Sequence, residues 1–147
     1  MTFDKSRVTK QKIDFRQINQ VLQKAGKNIT AAEQVDDSDP KFSLAYDSML
    51  QTALALMRSH GFRPRTGLGH HQTLIDFSKR ILGPKFSSLT SAYNQIKKKR
   101  NLLQYDINSV TKTEAISAID IAKRFFEAVE NKIEQDNPQQ KLWKPNK

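Results

Sequence analysis

The chain contains no cysteine. That excludes disulfides, thiol nucleophiles, Cys-ligated zinc and iron–sulfur clusters, and it fits a reducing cytoplasm. No apolar run approaches the roughly 18 residues that a membrane span needs. The opening MTFDKSRVTKQK is charged with no apolar stretch behind it, so it does not read as a secretion signal. A cytoplasmic protein with no membrane contact is expected. Convincing strand alternation and internal repeats are also missing, and GLGHH lacks the spacing and the preceding strand of a dinucleotide fingerprint. His70-His71 has no third spaced ligand, so no metal site is expected, and no cofactor.

What is present is charge and helical period. The 25 Lys and Arg outnumber the 15 Asp and Glu, a net +10 that suggests a polyanionic partner such as RNA, DNA or an acidic protein. Apolar residues make up only 37% of the 147, but they fall in periodic segments, so one folded domain is expected rather than a disordered chain. Residues 1–13 read as a flexible basic arm, 14–135 as a helical bundle, and 136–147 as a flexible basic tail in which Trp143 has no evident role.

Phe15, Ile18, Leu22, Ala25, Ile29 and Ala32 form one helical stripe, interrupted by Gly26, whose cost of about 1 kcal/mol packing must offset. DDSDP at 36–40 ends this helix and starts the next, with Asp39 suited to cap and Pro40 to the first helical position. Phe42, Ala45, Tyr46, Met49, Ala53, Leu54, Leu56 and Met57 then cover a wide arc, which marks a central helix. The connector GFRPRTGLG (61–69) leads to a third segment near 69–82, ended by Gly83-Pro84, and a fourth from Phe86 to about Leu103. The last opens with Thr111 and Glu114 in capping-box spacing. The fold class expected is all-α, an antiparallel up-and-down bundle of four to five helices.

The fourth segment carries an anomaly. Its stripe is Phe86, Leu89, Tyr93, Ile96, Arg100 and Leu103, so Arg100 points where apolar residues should. Lys97, Lys98 and Lys99 fall to its sides and back and read as solvated. A charge inside a packed face is paired, snorkelled or placed at a site. If paired within the chain, Asp76, Glu114 or Asp120 could be its acid. Asn101, Gln104, Tyr105 and Asp106 follow it, and Arg, Asn, Tyr and Asp together can grip a phosphate or a base edge. A second basic region, suited to phosphate contact, lies in the connector: Arg58, Arg63 and Arg65 beside His60, His70 and His71.

A helical bundle with R-N-x-x-x-Y-D after its penultimate helix resembles the HEPN domains (higher eukaryotes and prokaryotes nucleotide-binding). Gly69-His70 matches a Gly-His pair that opens helix three in that family, and Arg100-Asn101 matches its Arg-polar motif. The resemblance covers about residues 12–135. It implies a homodimer whose two motifs line one cleft, with RNA or nucleotide as ligand and metal-independent ribonuclease activity in many members, often in toxin–antitoxin or defence systems. In those enzymes Arg holds the scissile phosphate and His moves protons. This chain has Tyr105 five positions after Arg100, where one form of the motif has His, and no His follows. A tyrosine with a pKa near 10 is a poor base at pH 7. The candidate catalytic residues are therefore Arg100, Asn101 and Tyr105. The candidate nucleic-acid contacts are Lys97, Arg100, Asp106, Arg58, Arg63, Arg65 and His70. The alternative is a non-catalytic module that pairs with a nucleotidyltransferase, an antitoxin or another acidic partner.

Overall fold

The structure is a computed structural model, which describes residues 4–66, 69–105, 109–140 and 142–144. Among these residues it is a helical bundle: α1 (Phe15–Gln34), α2 (Ser38–Ser59), α3 (His70–Leu82), α4 (Ser87–Leu103) and α5 (Lys112–Asp136). Asp14 caps α1 by accepting from the N–H groups of Arg16 and Gln17. The stripe Ile18, Leu22, Ala25, Ile29 and Ala32 is buried as its period demands. Thr111 and Glu114 close a reciprocal capping box at the start of α5, at 3.1 and 3.0 Å. Asp39, expected as the cap of α2, instead sits in the first turn and accepts the Val110 N–H at 2.8 Å. It ties the entry of α5 to the entry of α2. Pro40 is tolerated one turn in, because first-turn N–H groups have no helical partner.

α2 is the central element. It packs most extensively against α1 and α5 and buries residues on nearly every side, from Phe42 to Met57. Thr52 and Ser59 turn their hydroxyls back onto the helix, to the Ser48 carbonyl at 2.8 Å and the Leu56 carbonyl at 2.6 Å. Cross-contacts set the directions. Arg58 meets Gln17 and Lys41 meets the Ala32 carbonyl, so α1 and α2 are antiparallel. Lys99 pairs with Glu114 and Tyr93 touches Phe125, so α4 and α5 are antiparallel. α3 runs obliquely in the same sense as α2: His71 lies against Tyr46, and Phe77 against His60.

That direction requires the chain to travel back along the bundle between α2 and α3. A ribbon absent from the sequence reading carries it. β1 (Val8–Lys10) pairs antiparallel with β2 (Phe62–Pro64), in register Val8↔Pro64 to Lys10↔Phe62. Three-residue strands are too short to show alternation. The arm 1–13 is thereby corrected over its second half: Val8 is buried, and Arg7 forms an ion pair with Asp76 of α3 at 3.0 Å. The tail is corrected in the same way. Leu142 is buried, the Trp143 ring sits on Gly26 and edge-on to Phe126, and the Trp143 N–H donates to Asn19 at 2.8 Å. Gly26, which sequence alone left as a cost, is the bare spot on α1 that admits this ring. No helix among the described residues is long and apolar enough to cross a membrane.

Candidate functional site

Tyr46 organises the chemistry. It is fully buried on α2, and side chains from two other helices converge on its ring. Gly69 holds a left-handed backbone (φ 84°) immediately before α3, a conformation that glycine adopts without strain, and it opens the helix at His70 and His71. His71 Nδ1 then lies 3.0 Å from the Tyr46 hydroxyl. The His70 ring stands edge-on to His71 at 4.7 Å. From α4, the Arg100 guanidinium sits over the Tyr46 face, 5.7 Å from its centroid, a cation–π geometry. Tyr93, also fully buried, meets Tyr46 edge-on at 6.2 Å.

A hydrogen-bonded chain borders this centre. Lys97 Nζ donates to Gln72 Oε1 at 3.0 Å, Gln72 Nε2 donates to Asp76 Oδ1 at 2.9 Å, and Asp76 pairs with Arg7. Arg7 Nε also donates to Thr73 at 3.1 Å. The carboxylate fixes which end of the Gln72 amide faces Lys97, and the amide oxygen holds the lysine without neutralising it.

Arg100 has no ion pair among the described residues, and neither has Arg58, whose Nε is likewise sealed without a partner. Each of the three acids the sequence offered as the partner of Arg100 is engaged elsewhere: Asp76 with Arg7, Glu114 with Lys99, and Asp120 with Arg124. Its residue is half-buried, and its Nε is sealed from solvent without a hydrogen-bond partner among the described residues. A guanidinium in that state has lost water and gained no carboxylate. The Tyr93 hydroxyl and Asn94 Oδ1 are likewise buried and unpartnered. Asp47, next to Tyr46, is influenced by Arg100 but forms no ion pair with it. Burial pushes the Asp47 carboxyl up, and Arg100 pulls it down. Burial likewise holds the Tyr46 phenol far above its ordinary range despite Arg100, so it keeps its proton. His71 is driven down, first by burial and then by His70, Arg100 and Lys97, so the imidazole is neutral near pH 7.

The sequence candidates separate on this geometry. Arg100 and Lys97 belong to the cluster, and His70 borders it. Asn101 is exposed, and Tyr105 is 74% exposed beyond the end of α4. Among the described residues, no hydrogen bond joins either side chain to Arg100. Asp106 lies outside the described residues. Arg58 is about 18 Å further along α2 than Tyr46. It donates to Gln17, while Arg65 donates to the Val8 carbonyl and Arg63 lies on β2. Arg58 is therefore remote from the cluster, while the Arg65 N–H donates to the carbonyl of Arg7, the residue at the end of the hydrogen-bonded chain. The reading of three solvated lysines holds only for Lys98, since Lys97 binds Gln72 and Lys99 pairs with Glu114. Tyr46, His71 and Gln72 were absent from the candidate set. Tyr46 carries no signal, because it sits in a core stripe like any packing residue. His71 had one, the His pair just after the glycine.

The cluster has the means to bind an anion: two cationic side chains, a titratable imidazole and an unpartnered guanidinium N–H. Among the described residues, no group of three or more His, Cys, Asp or Glu could hold a metal ion. Comparison with protein-family models and with curated proteins finds no match to the chain.

Proposed function

We propose that this protein is a HEPN-like dimer that binds RNA or a nucleotide by a phosphate group at Arg100. The observation that supports this most is the half-buried guanidinium with no carboxylate partner among the described residues. A phosphate oxygen offers it the charge-assisted hydrogen bonds that the fold withholds. Lys97, held by a neutral amide, adds a second cation on the same side of α4. The dimer draws support from Leu102 and Tyr105, exposed by 45% and 74% at the end of α4 beside the cluster. A second copy of this helix would cover them, whereas two Arg100 residues facing one cleft is what the HEPN resemblance implies. The function is binding rather than cleavage, in a toxin–antitoxin or defence setting, since the motif position of the proton-carrying His is Tyr105.

Binding of a single-stranded RNA oligonucleotide, followed by fluorescence anisotropy, tests this reading. Arg100→Ala removes a charged hydrogen bond of about 1.5–3 kcal/mol, so affinity falls roughly ten- to a hundredfold. Wild-type affinity also weakens steeply with salt. Equal affinity of wild type and variant sinks the proposal. Exposed Leu102 and Tyr105 equally suit a different protein. A complex with an acidic partner protein, together with no RNA affinity at any salt concentration, would establish that alternative.

A further inference from the structure

We infer that His71 is a second phosphate-contacting residue of the Arg100 site, and that anion capture there takes up one proton from solvent. This rests on the reading of Arg100 as a phosphate site and adds a residue that its sequence motif does not contain. The geometry comes first. Arg100 and His71 touch the same Tyr46 ring, one at its face and the other at its hydroxyl. An anion drawn to the guanidinium therefore arrives beside the imidazole. Tyr46 occupies Nδ1, which leaves Nε2 as the nitrogen available to a ligand.

The charged and titratable groups around His71 can be named element by element. From α2 come the Tyr46 hydroxyl and, through Arg100, Asp47. From α3 comes His70, and from α4 come Arg100 and Lys97. No carboxylate among the described residues forms an ion pair with His71. In the free protein, burial and the neighbouring cations keep the ring neutral. An anion among those cations reverses the balance, because it cancels their repulsion and adds an attraction of its own. The bond to Tyr46 accommodates the change. A neutral ring can accept or donate at Nδ1. A protonated ring donates there to the phenol oxygen and offers Nε2–H to the phosphate. The phenol turns its own hydrogen aside, and neither ring has to move. By linkage, a ligand that raises the proton affinity of His71 binds more tightly as pH falls.

The probe is a single-stranded RNA oligonucleotide without terminal phosphates, whose diester charge is constant across the pH range used. Its affinity is measured from pH 5.5 to 7.5 for wild type, His71→Gln, His70→Gln and Arg100→Ala, with circular dichroism as a check on folding. Wild type binds roughly fivefold more tightly at pH 5.5 than at pH 7.5, and a single proton allows at most tenfold per pH unit. His70→Gln keeps that slope, whereas His71→Gln loses it. A slope that survives in His71→Gln, or a flat wild-type profile at measurable affinity, overturns the role of His71 and leaves the Arg100 reading standing. Absence of RNA binding at every pH overturns both. Titration of the His71 ring by NMR in the wild-type protein does not depend on a variant folding. Its midpoint rises when RNA is added, and an unmoved midpoint overturns the inference.

Discussion

Gly26 and Trp143 give a sharp test of the packing. A Cβ added at Gly26 would lie 2.5 Å from Trp143 Cη2 and 2.8 Å from Cζ3, closer than atoms tolerate. In an open helix interior, Gly→Ala stabilises by about 1 kcal/mol. Here the methyl must displace the indole, and with it the edge-on contact to Phe126, which also loosens the segment whose Trp143 backbone N–H donates to Asn19. Burial of the ring contributes about 2 kcal/mol and the aromatic pair about 1, less roughly 1 for ordering the tail. Gly26→Ala alone should therefore destabilise the protein by about 1 kcal/mol, the balance of a loss of about 2 and a gain of about 1. In a Trp143→Ala background the obstruction is gone, and the same substitution should stabilise by about 1 kcal/mol. The sign reverses, with a coupling energy of about 2 kcal/mol. Urea unfolding of the four proteins, followed by circular dichroism at 222 nm, measures it. An equal gain in both backgrounds would refute the docking of the tail on α1.

Two further predictions concern stability. Thr111→Ala removes one half of the capping box on α5 and should cost about 1 kcal/mol by the same unfolding assay, whereas Thr111→Ser should restore most of it. The pH dependence has a defined sign. His60 and His71 are both held below the ordinary imidazole value of about 6.5, chiefly by burial. The unfolded chain therefore binds more protons than the folded one in that region. The contribution to stability is fully present above pH 6.5 and is lost as pH falls through the folded values. The thermal midpoint should drop between pH 7 and pH 5, and less so in His60→Gln and His71→Gln. A flat profile would contradict the half-buried positions of both rings.

The helices themselves were legible because each rests on local information. The stripe of α1, the wide apolar arc of α2, the Gly83-Pro84 stop and the Thr111/Glu114 box all act over one or two turns, where side-chain period and orphan backbone groups decide the outcome. The same arithmetic placed Arg100 on the inner face of α4. What that face meets was not local. Tyr46 is 54 residues away in the chain and looked like core. His71 reaches it only because the β1–β2 ribbon returns the connector, so that α3 runs alongside α2. Three-residue strands leave no period to read, and a helix direction set by a ribbon is a long-range property. Trp143 shows the same limit at the other end: its partner is a missing side chain, Gly26, which signals nothing until the tail folds back. The sequence determined which residues are helical, where the helices stop, and that one arginine breaks an apolar stripe. Only the tertiary structure decided that the arginine pairs with none of Asp76, Glu114 and Asp120 and that a histidine from another helix shares its aromatic neighbour, because pairing and burial depend on which surfaces meet.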